Sequence, residues 1–228
     1  CAAQAVAIAK ASALAKKNDV QLAHEAAYVD SWQSPFVKDP FEIPLETQLE
    51  LLLAADEAMR RVKGVTLTET DMQFRKVDTW FASSEGSKIH QRRVVSGCGI
   101  VATCFQGDAI QKRSYPNSFG GQHVLGGYEL IESLDLLKHA PRVGEEAVAL
   151  HSAAQCPERT GTLILGANQL GLQIHESIGH PIELDRVLGQ EANFAGTSFL
   201  TLDQLHHLRY ASPIVNVVAD ARIAHGPG

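Results

Sequence analysis

Residues 65–106 read VTLTETDMQFRKVDTWFASSEGSKIHQRRVVSGCGIVATCFQ, and the fold turns on this stretch. Residues 65–82 and 87–106 are rich in Val, Thr, Phe, Ile and Trp, side chains that suit a pleated strand. Ser83-Ser84-Glu85-Gly86 separates the two runs with turn-forming residues, so one long antiparallel hairpin is expected. A third strand is expected near 108–115.

Toward the N-terminus, the hairpin is preceded by a clear helical pattern. Leu45, Leu49, Leu52, Ala55, Met59 and Val62 recur at steps of three and four and define one apolar face. Pro44 suits its first turn and Gly64 its stop. Residues 20–43 are mixed and end in a proline-bearing loop, Ser34-Pro35 to Asp39-Pro40. Residues 2–17 are alanine-rich with lysines at their end, which favours a further helix.

Toward the C-terminus, Asn117 to Gly127 holds four glycines and reads as a loop. Neither glycine pair in it has a Walker lysine or GxGxxG spacing, so no phosphate loop is expected. Residues 128–154 read as helical with a break at Pro141 to Gly144. Thr160 to Leu165 (TGTLIL) reads as a short buried strand, Gly166 and Asn168 turn the chain into another helix, and Val215 to Val218 reads as a last strand. Helices and hairpins are interspersed without a βαβ rhythm. The fold class expected is α+β, a mixed or antiparallel sheet with a long hairpin and packed helices. Two regions are expected, helices and hairpin over 1–155 and the strand with the motif helix over 160–228.

Composition narrows the function. The 228 residues carry 20 basic and 26 acidic side chains, a net charge of −6, which leaves no broad footprint for nucleic acid. The local cluster of Lys88, Arg92 and Arg93 reads as a solvated strand face. No window approaches 18 consecutive apolar residues, so no membrane span is expected. Cys1, Cys98, Cys104 and Cys156 form no CxxC pair and no disulfide framework. Cys98 and Cys104 lie in apolar strand sequence and read as buried free thiols, which suits a reducing, cytoplasmic setting. The chain starts without Met and stops at His225-Gly226-Pro227-Gly228, so it reads as a piece of a longer protein.

The chemistry centres on Gln173-Ile-His-Glu-Ser-Ile-Gly-His180, an HExxxH pattern. In a regular α-helix, residues five apart lie about 140° apart around the axis, too far for two rings to share an ion. Either the histidines serve unrelated purposes or the helix is distorted. A π turn has about 4.4 residues per turn and returns i and i+5 to within roughly 50°. Gly179 loosens the backbone before His180, and Pro181 disfavours the α conformation at His180. A π bulge or an opened last turn is therefore expected between His175 and His180. If the rings converge, they can hold zinc, with Glu176 as general base on the water that the metal activates. The apolar neighbours Leu170, Leu172, Ile174 and Ile178 suggest a buried helix whose polar atoms need partners.

The stretch from His175 to Phe199, HESIGHPIELDRVLGQEANFAGTSF, resembles the signature region of the TldD/PmbA family, once described as modulators of DNA gyrase. The likeness continues through Tyr210-Ala-Ser-Pro-Ile-Val-Asn-Val-Val-Ala-Asp220 and upstream across the hairpin. It implies a zinc metallopeptidase of the TldD type, with His175 and His180 as ligands and Glu176 as catalytic base. It also implies a third ligand, a cysteine beyond Gly228, so the isolated chain is expected to bind zinc weakly and to be inactive. Cys156 precedes the motif and is not assigned that role. Unfolded peptides are the implied substrates. The implied partner is a twin copy or a PmbA/TldE-like subunit that lacks the trio. The alternative is a non-catalytic, peptide-binding or partner subunit; a direct gyrase or DNA role has no support in charge or motif. Glu183 and Asp185 either orient the histidines or cap the next short helix in solvent. His206 and His207 lie in an amphipathic turn and are not expected at the site, and His225 is expected to be exposed.

Overall fold

The structure is a computed structural model and describes residues 1–17, 23–117 and 121–226. In chain order the elements are α1 (Ala2–Ala15), β1 (Val29–Gln33), α2 (Leu45–Arg60), β2 (Leu67–Ala82), β3 (Lys88–Gln106), β4 (Ala109–Tyr115) and β5 (Gln122–Leu125). Then come α3 (Tyr128–Leu134), α4 (Leu136–Ala149), α5 (Ala167–Ile174) and α6 (Leu184–Val187). The fold is α+β with a five-stranded mixed sheet, as the sequence indicates.

The hairpin read from residues 65–106 is β2 and β3, joined by a turn in which Gly86 takes φ 107°, a value that L side chains resist. Strand β3 organises the sheet. β2 lies beside it, β1 runs parallel to it over Lys88–Arg92, β5 is antiparallel to Val95–Cys98, and β4 is antiparallel to Ile100–Gln106. Its residues 96–100 and 102–104 are buried without alternation, as expected of a strand covered on both faces.

The chain divides into two compact units. The first comprises Cys1–Gln33 and Val77–Arg93. In it, Tyr28 N–H donates to Ser87 Oγ (3.1 Å) and Lys88 N–H to Tyr28 O (2.8 Å), fixing the start of β1. The Trp80 and His90 rings stack at 4.8 Å. Arg92 Nε and His90 Nε2 each lie 2.9 Å from Asp78 Oδ1, so the basic cluster is partly neutralised on the strand face. The Arg92 guanidinium, and then His90, hold the Asp78 carboxyl below its ordinary value.

The second unit, Ser34–Lys76 with Val94–Gly228, holds the core. Ala55 and Met59 of α2, Cys98, Ile100 and Ala102 of β3, Ile131 of α3 and Leu136, Ala140 and Val143 of α4 form it. The face read on α2 is buried only in its later turns, since Leu45 and Leu49 are exposed. Cys98 and Cys104 are buried free thiols, and burial pushes Cys98 up to about 12, with the Asp71 charge adding to it. Ser34 Oγ accepts from Val94 N–H and Ser96 Oγ donates to Gly126 O, both at 2.9 Å, so these buried hydroxyls are satisfied.

Glu129 ties the 34–40 loop to α3. Its carboxylate accepts from Val37 N–H (3.1 Å), Lys38 N–H (2.9 Å) and Gly127 N–H (2.8 Å). Burial alone would raise its pKa, but these backbone donors outweigh burial and hold it below 4.5. A folded value below the unfolded one means the unfolded chain binds more protons. The stabilisation is thus complete above the ordinary glutamate range and is lost as pH falls through the lowered folded value. Glu129→Gln is expected to cost roughly 1–2 kcal/mol at pH 7. Urea midpoints should show the gap from wild type narrowing below about pH 4; a gap constant with pH would contradict this role.

Several sequence expectations are corrected. The 20–43 segment contains β1, and the glycine-rich 117–127 stretch contains β5; its residues 118–120 lie outside the described residues. The break in 128–154 falls at Asp135, which takes φ 45°, not at Pro141. Helix α4 runs through Pro141 because its stripe Leu136, Ala140, Val143 and Ala147 is buried, which offsets the roughly 3 kcal/mol that an interior proline costs. Thr160–Leu165 and Val215–Val218 are not strands. Both are exposed, Ile164 at 90% and Val218 at 81%, and neither has a strand to pair with among the described residues. Among the described residues, no helix is long and apolar enough to cross a membrane.

Candidate metal centre

Gly166 caps α5, which delivers the chain to a π turn at His175–Gly179. The expected distortion is present. His180 N–H donates to His175 O at 3.0 Å, a five-residue step in place of four. The two imidazoles consequently meet edge to face with centroids 4.3 Å apart. One ligand-type atom from each of His175, Glu176 and His180 lies within 4.8 Å of the others, which marks the trio as a candidate metal centre.

Pro181 explains part of the local architecture. In a regular helix Ser177 C=O would accept from residue 181, but proline has no N–H. Tyr210 Oη donates to Ser177 O instead, at 2.8 Å. Sequence reading did not single out Tyr210. The clue available was the carbonyl that a proline four residues on must orphan.

Of the two carboxylates held open, Glu183 reaches the site and Asp185 does not. Glu183 Oε1 accepts from His180 Nδ1 at 2.8 Å, while its Oε2 lies 2.5 Å from Arg186 Nε. The bond from His180, followed by the Arg186 charge, holds Glu183 below its ordinary value. Placing a proton on Nδ1 leaves the His180 Nε2 lone pair free for a metal. Glu183 also precedes α6 as its N-cap residue, without a side-chain cap bond. Asp185 Oδ1 accepts from the Arg186 N–H at 2.8 Å.

The trio is not on a buried helix, contrary to the sequence reading. His175 and Glu176 side chains are exposed and His180 half-buried, while Leu170 and Leu172 of α5 are themselves open. The donor set still fits a divalent ion. Two donors at about 2.1 Å from one zinc are at most about 4.2 Å apart, close to the 4.8 Å within which the ligand-type atoms of His175 and His180 already lie. Neither His206, His207 nor Cys156 belongs to the cluster. His225 is exposed as expected, yet its Nδ1 donates to Leu125 O at 2.8 Å and clips the chain to β5.

Residues 38–154 match the sequence model described as the PmbA/TldA metallopeptidase central domain. That match ends before His175. A metalloprotease of Methanothermobacter thermautotrophicus is 29% identical over 180 residues, 79% of this chain and 38% of its own length. Another, of Methanocaldococcus jannaschii, is 25% identical over 219 residues, 95% of this chain and 44% of its own length. A third, of Archaeoglobus fulgidus, is 26% identical over 151 residues, 66% of this chain and 33% of its own length. The matched segments thus span less than half of each relative.

Proposed function

The chain belongs to the PmbA/TldD metallopeptidase family, and on that premise we propose that it is the central part of a TldD-type zinc peptidase that hydrolyses unfolded or small peptides. The observation that carries this reading is the π turn, which sets two imidazoles 4.3 Å apart with Glu176 beside them. His175 and His180 would hold the metal, with a cysteine from outside this chain as third protein ligand. Imidazole donors of this kind suit zinc.

When bound, the metal supplies Lewis acidity that polarises the scissile carbonyl and acidifies water. Glu176 takes the proton of the attacking water and passes it to the departing amine. Glu183 holds the His180 ring through Nδ1, and Arg186 steadies Glu183 in turn. The working assembly is proposed to be a homodimer or a heterodimer with a PmbA/TldE-like subunit.

Metal analysis of the full-length protein tests the reading. Wild type is expected to carry about one zinc per site, and His180→Ala to retain less than about a tenth of it, since losing a side chain that binds the metal directly costs more than the 10–100-fold typical of residues that only orient such side chains. Equal zinc in the two proteins would remove His180 from the site and with it the proposal.

A further inference from the structure

A groove of about 470 Å³ opens beside the trio. One wall is the motif's own exit, with Ile178, Pro181 and Ile182; the other carries Phe199, Leu205 and Leu208. Pro181 and Phe199 also line the smaller, polar pocket that contains Glu176, His180 and Arg186. The two spaces are therefore adjacent, and the turn that gathers the rings also lends Ser177 and Ile178 to the groove.

We propose that this groove receives a large apolar side chain of the peptide substrate, on a residue flanking the scissile bond. The inference rests on the peptidase reading above. Its physical basis is the lining. No Asp, Glu, Lys or Arg borders the groove; apolar side chains dominate it, with Ser177, Thr201, Gln204, His206 and Tyr210 as its polar members, and the Tyr210 hydroxyl donates to Ser177 O. A Leu or Phe side chain would exchange water for apolar walls. A Glu side chain would lose hydration among mostly apolar walls and find no Lys or Arg to pair with. The volume is ample for one such side chain. Successive peptide residues are spaced about 3.3–3.6 Å apart, so a residue next to a carbonyl at Glu176 and His180 would meet the Pro181 and Phe199 side chains that border both spaces. The walls at Leu205 and Ile182 are open, 64% and 57% exposed, which leaves the groove accessible.

The test uses the full-length protein and two fluorescein-labelled, unstructured decapeptides that differ in one central residue, Leu or Glu. Binding is read by anisotropy on the Glu176→Gln protein, where cleavage does not interfere, and hydrolysis by mass spectrometry on wild type. The Leu peptide is expected to bind and to be cleaved at least about tenfold better. Adding Leu205→Lys, at an exposed position, should abolish that preference and improve handling of the Glu peptide. Equal affinity for the two peptides, or a preference unchanged by Leu205→Lys, would overturn the groove's role and leave the peptidase reading standing. Discrimination in binding that Leu205→Lys removes, with neither peptide cleaved by wild type, would uphold the groove and count against the peptidase reading alone.

Discussion

Replacing Glu176 with glutamine in the full-length protein is expected to lower kcat/KM for peptide hydrolysis by about 10²–10⁴-fold, the range that a positioned proton-transfer group contributes. The substitution keeps the shape of the side chain and removes its ability to take a proton. Glu176 is exposed and forms no contact with the core, so the fold should not register the change. Its carboxylate oxygen stands 3.9 Å from His175 Nε2, near enough to act on a water at the trio. Zinc content should stay at the wild-type level, because the two imidazoles are untouched. Initial rates on an unfolded peptide, measured beside metal content and a thermal melt, decide the matter. A variant that cleaved at the wild-type rate would take Glu176 out of the chemistry.

The largest expected effect on stability lies elsewhere, at Gly121. Its φ is +103°, and a Cβ built there would lie 2.0 Å from Cys98 O and 2.7 Å from Gly99 Cα. These are backbone atoms of the central strand, which cannot swing aside as a side chain tip would. Gly121→Ala therefore combines a backbone conformation that L residues resist with overpacking against β3. The sum is about 2–5 kcal/mol, which for a chain of this size corresponds to a fall in Tm of roughly 5–15 °C. The damage should centre on the pairing of β5 with Val95–Cys98. A variant melting within a degree of wild type would show that this close approach is not maintained in solution.

How far the sequence reveals this molecule depends on whether a feature is local. The hairpin was legible because both runs are long, rich in β-branched and aromatic residues, and separated by one clear turn. The later turns of α2 were legible from apolar periodicity. Strand β5 was not, because Gln122–Leu125 is four residues in a glycine-rich setting and is made a strand by its partner on β3. The reverse error occurred at Thr160–Leu165 and Val215–Val218, whose β-favouring composition has nothing to pair with. The break at Asp135 could not be anticipated, because a left-handed aspartate is outwardly an ordinary residue, whereas Pro141 advertises a break that packing overrides.

The candidate site divides the same way. The five-residue step and Gly179 implied an irregular turn, and the turn is there; the expectation that Pro181 would keep His180 out of the α conformation is overturned, since His180 has φ −65° and ψ −42° and the extra residue is absorbed by the π turn before it. The exposure of the helix was missed, since apolar neighbours such as Leu170 and Leu172 signal burial only when something covers them. Glu183 and Asp185 were indistinguishable as sequence, and only the position of His180 Nδ1 separates them.

The placement of the π turn has a practical consequence. The ring pair depends on local backbone form at an open surface, whereas the bulk of the folding free energy resides in the side chains packed between β3 and helices α2 to α4. The two are encoded by separate residues. A melting curve is therefore blind to damage at the trio, and a library screened for thermal resistance alone would pass proteins in which the paired rings had been lost.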